Sequence, residues 1–328
     1  MAAEESVGGI HHVTAITGDA GANLDFYTRV LGLRLVKKTV NQDDVSAYHL
    51  FYGDTAGHPG TEVTFFHWPA APRNGPGYGS FARIALAVPG ESALDWWEHR
   101  LTALGVTRAP AEVVAGQRRI SLQDPEGQRL ELVDAGAGAR PDIEPWEGSP
   151  VPTAMAIRGV AAVTLEVAAP APTLSLLTGV LGFRRVAAYV DGGAAVTVLE
   201  CGAGGTGTRL RLAVPRLARP GAPGVGGVHH VAFRTADAES QQVWHRRVGQ
   251  TGLPCSSVVD RYYFRSVYFR EPGGALCEIA TDGPGFGTDE PLAHLGERLS
   301  LPPFLEPRRA EIEAGLPPLG AEAPAADA

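Results

Sequence analysis

Internal repetition constrains this chain more than any other feature. Residues 9–17 (GIHHVTAIT), 159–167 (GVAAVTLEV) and 227–235 (GVHHVAFRT) are variants of one segment. The first two stand 150 residues apart, and the same offset aligns FYTRVLGLRLV (26–36) with LLTGVLGFRRV (176–186). A second series recurs at 147, where Trp97, Gly105, Pro125 and Glu131 fall on Trp244, Gly252, Pro272 and Glu278. Four units result, near 9–69, 80–136, 158–215 and 226–282, the first related to the third and the second to the fourth. A small repeated unit cannot bury its apolar face alone, so the units must pair.

Each unit opens with a β-rich run and continues into a helical stretch. In the first, Leu24, Tyr27 and Leu31 are spaced three and four apart, which places them on one helix face. Gly32, Gly105, Gly182 and Gly252 close the four helices, as a left-handed cap does. Three short strands follow, with Pro59-Gly60, Pro125-Glu126-Gly127 and Pro272-Gly273 turns ahead of the last one in units one, two and four. The fold class is therefore α+β, with four tandem βαβββ modules forming two curled-sheet barrels. Modules 1 and 2 occupy 1–136, a Gly/Ala/Pro linker 137–157, and modules 3 and 4 158–283. Residues 284–328 form a C-terminal wrap, with short helices expected over 289–299 and 307–316 and a disordered end, AEAPAADA. Trp96, Trp97 and Trp244 fall on helices as packing anchors.

Composition excludes several classes of function. Lys and Arg number 28 against 36 Asp and Glu, a net charge of −8 with no basic cluster, which argues against a nucleic-acid partner. No apolar stretch approaches the ~20 residues that span a bilayer. The opening MAAEESVGG is acidic where a secretory signal is basic. Cys201, Cys255 and Cys277 form neither a disulfide framework nor a CxxC metal pair, so the expected compartment is the reducing cytoplasm. No GxSxG, Walker or dinucleotide fingerprint is present.

The chemistry gathers at the histidines. His11-His12 and His229-His230 occupy the same place in the first and last units, while unit three has Ala161-Ala162 there. Adjacent strand residues face opposite sides, so one histidine of each pair enters a given cavity, and alternation does not say which. Glu278 stands between Cys277 and Ile279, and a carboxylate in an apolar strand is costly unless paired or metal-bound. Two histidines and one carboxylate make the facial triad of non-haem Fe(II) oxygenases, with coordination positions left open. Six residues beyond the turn proline lies Glu278 in unit four but Phe65 in unit one, so a fourth protein ligand is missing. His49, His58, His67 and His294 lack partners at ligand spacing and are assigned to the surface or a substrate pocket.

These residues resemble the vicinal-oxygen-chelate (glyoxalase/bleomycin resistance/dioxygenase) superfamily, and within it the ring-cleaving dioxygenases that open para-hydroquinones. The resemblance spans about residues 8–320. It includes GIHHVTAIT, YHLFYGD (48–54), HPGTEVTFF (58–66), VHHVAF, DRYYFRSVYFREPGG (260–274) and GFGTDEPLAHLGERLSLPPFLEPRR (285–309). It implies that the second histidine of each pair ligates iron, so the metal set is His12, His230 and Glu278, with Fe(II) as cofactor and Mn(II) compatible. Supporting catalytic roles follow for Thr14, His229, Arg261 and Tyr268, and for His11 with a less defined duty. The implied partners are a small aromatic substrate and O2, without nucleic acid or membrane, and a homo-oligomer is left open. The implied product is a hydroxymuconic semialdehyde. The rival readings are an extradiol catechol dioxygenase, a glyoxalase-like isomerase or lyase, and a small-molecule-binding resistance protein.

Because His12 lies in module 1 and Glu278 in module 4, those two modules must meet, leaving modules 2 and 3 to each other. The 147-residue offset then puts Arg83 and Glu131 where module 4 has His230 and Glu278. An ion pair between them is expected in the second barrel in place of a metal; the alternatives are solvent exposure, or Arg118 or Arg119 as the partner.

Overall fold

A computed structural model describes residues 6–136, 140, 142–215 and 219–319. Module 1 comprises β1 (Ile10–Thr17), helix α1 (Ala20–Asp25) extended by a π turn over Phe26–Val30, β2 (Arg34–Asn41), β3 (Asp44–Gly53) and β4 (Glu62–His67). Module 2 comprises β5 (Ser80–Val88), α2 (Glu91–Ala103), β6 (Glu112–Val114), β7 (Gln117–Gln123) and β8 (Arg129–Asp134). Module 3 follows as β9 (Val160–Glu166), α3 (Pro170–Gly179), β10 (Arg184–Asp191), β11 (Ala194–Glu200) and β12 (Arg209–Val214). Module 4 is β13 (Gly227–Thr235), α4 (Ala238–Gly249), β14 (Val259–Asp260), β15 (Arg265–Arg270) and β16 (Leu276–Thr281). The order βαβββ thus recurs four times. The four helix-closing glycines all adopt positive φ, and at Gly32 (φ 72°) a Cβ would also collide with Val151.

The strands form two eight-stranded sheets, ordered β14-β15-β16-β13-β1-β4-β3-β2 and β10-β11-β12-β9-β5-β8-β7-β6. In the first, β1 lies antiparallel to β13, joining module 1 to module 4; in the second, β5 lies antiparallel to β9, joining module 2 to module 3. The outer sheet faces pack on the helices, and one apolar cluster runs through both halves. Tyr27, Trp97 and Trp244 are fully buried in it, and the Trp97 indole donates to the Met155 carbonyl at 2.8 Å. Among the described residues, no helix is long and apolar enough to cross a membrane.

The C-terminal segment differs in part from expectation. Helix α5 (Arg309–Gly315) forms within the second expected stretch, but 289–299 is no helix and holds only a 3₁₀ turn at Leu292–His294. Its carbonyls serve other partners: Arg34 donates to Leu292 O and Ala293 O at 2.9 Å each, and Lys38 to Glu297 O at 3.1 Å. Pro291 and Gly296, at φ 77°, also oppose helical propagation. The AEAPAADA end lies outside the described residues. The segment is pinned by Lys37, fully buried on β2, which contacts Glu290 and donates to Asp289 Oδ1 at 2.7 Å while lying over the Tyr263 ring. Removing one partner of a buried ion pair strands the other charge, so Lys37→Ala should lower unfolding free energy by about 3–5 kcal/mol in denaturant titration. A loss below about 1 kcal/mol would mean that Arg298, 3.7 Å from Glu290, suffices.

The second sheet carries an ion cluster rather than a simple pair. Arg83 Nη1 lies 3.3 Å from Glu131 Oε1, as expected, but Arg119 approaches the same oxygen at 3.1 Å and Arg211 contacts Oε2. Arg118 instead pairs with Asp95 on the helical side. Register explains Arg211, which the 147-residue offset could not reach. Ala162 pairs with Arg209, and two residues on stands Arg211, the same step that leads from the residue opposite Arg83 to Glu131. Glu131 is fully buried, whereas the Arg83 side chain is 35% exposed. Glu131→Ala should therefore cost about 3–5 kcal/mol of stability and Arg83→Ala about 1 kcal/mol or less, as read from paired urea titrations.

Candidate metal centre

The two His-His segments lie on adjacent strands, and each is bulged. Across the β1–β13 seam the register slips between Ile10 and His12, which pair with Phe233 and Ala232, and again where Thr14 and Ala15 pair with His230 and Val228. The extra residues are His11 and His229. A bulge re-aims side chains that regular alternation would send to opposite faces. Neighbouring imidazoles consequently meet, with Nδ1 of His11 3.0 Å from Nδ1 of His12 and the His229–His230 pair at 2.8 Å. The second histidine of each pair lines the inner cavity with Glu278.

His12, His230 and Glu278 converge there. His230 Nε2 is 2.9 Å from Glu278 Oε2, His12 Nε2 is 3.4 Å from the same oxygen, and the two Nε2 atoms are 3.3 Å apart. All three residues are buried, and the group could hold a metal ion. Tautomers follow from the outer contacts. His11 Nε2 lies 3.1 Å from the Thr281 carbonyl, which can only accept, so His11 carries its proton there and its Nδ1 accepts from His12. That leaves His12 Nε2 a bare lone pair aimed at the centre. Glu278 Oε2 has no partner in hydrogen-bond geometry, while its Oε1 accepts from Ser266 Oγ at 2.5 Å. Converging bare acceptors in a buried site repel one another unless a cation sits between them, so the donor set fits a divalent metal.

Burial would raise the Glu278 carboxyl; positive charge at the two flanking histidine positions, the place a bound cation would take, holds it well below the usual carboxylate range. Burial, and then the neighbouring imidazole of each pair, lower His11 and His229 to about 3, so both are neutral. Burial also lowers His230, against the pull of Glu278.

Phe51, Phe66 and Phe264 form the apolar walls of the pocket above the triad. Tyr268 lies on β15 directly across from Glu278. Arg261 does not lie on that strand. It follows β14 in a turn that Asp260 Oδ1 caps by accepting from Tyr262 N, with Tyr262 at φ 72°. From there Arg261 donates to Tyr268 OH at 3.3 Å and to Asp43 Oδ2 at 2.8 Å. Thr14 is fully buried, 2.8 Å from Thr64, whose hydroxyl also meets His49 Nε2 at 3.0 Å. His49 belongs to the pocket, whereas His58 pairs with Asp54 and His294 with Glu297 at the surface.

Register also corrects the missing fourth ligand. Ala232 pairs with Glu278, so the carboxylate stands two residues beyond the position facing His230; His12 faces Glu62, and the same step gives Thr64 rather than Phe65. Phe65 points outward, 4.6 Å from the Tyr27 ring. Two further residues escaped sequence reasoning. Ser266 gave no signal. Glu62 gave the same one as Glu278, a carboxylate within a β run. Fully buried, it forms a second potential metal group with His11 and His12. Burial, then Asp54, raises Glu62 well above the usual range, and its Oε2 is unpartnered, 3.9 Å from His11 Nδ1.

A family model for the Glyoxalase/Bleomycin resistance protein/Dioxygenase superfamily matches residues 9–132 and 159–279, so each match takes in two modules. The chain belongs to this superfamily. It is 46% identical over 314 residues to MhqA of Bacillus subtilis (strain 168), named provisionally as a ring-cleaving dioxygenase, covering 95% of this chain and 99% of that protein. It is 33% identical over 325 residues to the chlorohydroquinone/hydroquinone 1,2-dioxygenase of Sphingobium indicum, covering 95% and 97%. A crystal structure of a Bacillus subtilis protein described provisionally as a dioxygenase superposes with a TM-score of 0.87 at 40% identity, covering 95% and 97%. Ser266 is the side chain whose hydroxyl donates to Glu278 Oε1 from the neighbouring strand. Ser266→Ala should weaken divalent-metal affinity about 10- to 100-fold in chelator competition. Unchanged affinity would mean that strand β16 alone orients Glu278.

Proposed function

We propose that the chain is an Fe(II)-dependent dioxygenase that opens a hydroquinone-type aromatic ring with O2, giving a hydroxymuconic semialdehyde. The observation that carries this reading is the convergence of His12, His230 and the unpartnered Glu278 oxygen beneath an aromatic-walled pocket. The hydroquinone class draws its support from the chlorohydroquinone/hydroquinone 1,2-dioxygenase relative. Three protein ligands and a threonine at the fourth position leave room for substrate and O2, which favours oxygenase over isomerase chemistry.

His12, His230 and Glu278 would hold the metal, which when bound supplies Lewis acidity and redox coupling between ring and O2. The other residues act on the substrate. Arg261 and the Tyr268 phenol face the pocket together, so they can stabilise negative charge on a ring oxygen and donate a proton to it. Burial raises the Tyr268 phenol, which keeps it protonated for that role. His229 lies behind His230 and is the proton carrier leading away from the site, while His11 fixes the tautomer of His12. Thr14 steadies His49 through Thr64. We assign the reaction to the reducing cytoplasm, in keeping with three free cysteines.

Anaerobic reconstitution with Fe(II), and with Mn(II) in parallel, tests the reading. Oxygen uptake is expected with hydroquinone and not with catechol or a thiohemiacetal. Uptake with catechol alone, or thiohemiacetal isomerisation without uptake, would overturn it. His12→Ala, His230→Ala and Glu278→Ala should each abolish turnover and tight metal binding; one of them retaining parent iron stoichiometry and activity would remove that residue from the ligand set.

A further inference from the structure

One polar side chain that lines the triad pocket takes no part in the hydrogen-bond network around it. Thr39, on β2, is 3% exposed and lines the pocket, yet its Oγ1 is buried without a hydrogen-bond partner. A buried unsatisfied hydroxyl is costly and uncommon. Directly across from it on β3 stands His49, and paired residues on neighbouring strands project to the same face. His49 is held by Thr64 at its Nε2 and by Phe51 and Phe66, whose ring centroids lie 3.9 and 4.4 Å from its own. Among the described residues its Nδ1 has no hydrogen-bond partner.

The remaining polar groups at the pocket mouth are engaged with one another. Asn41 Oδ1 accepts from Asp43 N at 2.9 Å, Gln42 Nε2 donates to Arg261 O at 2.9 Å, and Arg261 joins Asp43 and Tyr268. The Gln42–Arg261 contact ties the β2 end of the curled sheet to the β14 end. With the two ends of the curled sheet tied in this way, β2 and β3, which carry Thr39 and His49, stand opposite β13 and β16.

We propose that Thr39 and His49 form the subsite for the second hydroxyl of a para-diol whose first oxygen lies at the His12–His230–Glu278 centre. The proposal rests on the ring-cleaving function above and gives its para selectivity a structural basis. A para-diol holds its oxygens at opposite ends of the ring, so one reaches Thr39 and His49 while the other stays at the triad. A catechol holds both on adjacent carbons, and its far edge would leave these two groups unpartnered. A site built to hydrogen-bond a hydroxyl discriminates against ligands that lack it.

Anaerobic calorimetric titration of the Fe(II)-loaded protein with hydroquinone and with phenol reads this subsite without turnover. The parent protein should bind hydroquinone more tightly than phenol. Thr39→Val, nearly isosteric, should weaken hydroquinone about three- to tenfold and leave phenol unchanged, while Thr39→Ser should keep the preference. His49→Phe retains the ring stack and should also reduce the preference. Equal weakening of both ligands in Thr39→Val, or no preference in the parent, would overturn the subsite. A parent that prefers hydroquinone yet consumes no oxygen with it would overturn the proposed activity and leave the subsite standing. Oxygen uptake with an undiminished preference in Thr39→Val would do the reverse.

Discussion

The antiparallel seam between β1 and β13 is the contact on which the rest of the molecule depends. It joins the first module to the last, and it carries both bulges that bring the imidazoles of each His-His pair together. A regular ladder would send His11 and His12 to opposite faces and leave the rings of His12 and His230 without their neighbours. With the bulges, the backbone itself delivers two inward imidazoles, each buttressed by a second one. β16 then needs only to lie parallel beside β13 for Glu278 to complete the group.

The second sheet shows that this backbone is separable from its chemistry. Its seam slips in the corresponding places, between Phe81 and Arg83 and between Ala85 and Leu86. No histidines stand there. Ala162 occupies the place of His12, Arg83 that of His230, and Arg211 that of Thr64, while Glu131 keeps the carboxylate of Glu278. A guanidinium against Glu131 supplies positive charge from the chain itself, where the first cup leaves the matching carboxylate oxygen free for a cation. One scaffold thus carries a buried ion cluster in one half and a candidate metal centre in the other.

Most of this architecture was legible in the sequence because repeats convey position. The two offsets gave the four modules and the place of Arg83 opposite Glu131, while the pairing of first with last came from the shared ligand set that the family resemblance implied. What the repeats could not convey is side-chain direction across strands of different ancestry. Counting from the turn proline suggested Phe65 for the missing ligand, whereas the β1–β4 register makes it Thr64. Arg211 was hidden for the same reason, since it reaches Glu131 from another module. The C-terminal segment misled in a different way. The helix expected over 289–299 yields to Arg34 and Lys38, distant side chains that take up carbonyls of that segment. The tertiary competitors of a local pattern are not written within that pattern.

Placing the site on the first-with-last seam has a consequence for biosynthesis. His12 and His230 are 218 positions apart along the chain, and the C-terminal segment that closes over β2 returns from 253 positions away at Lys37. Contacts this remote form slowly, because a long loop must close before they contribute anything. Chains emerge from the ribosome N-terminus first, at about 5–20 residues per second, so β1 waits ten seconds or more for the strand it must pair with. Modules 2 and 3, neighbours in sequence, can assemble during that interval and hold the chain's two ends near each other. The half of the protein without the candidate metal centre would in this way serve as the template on which the other half closes.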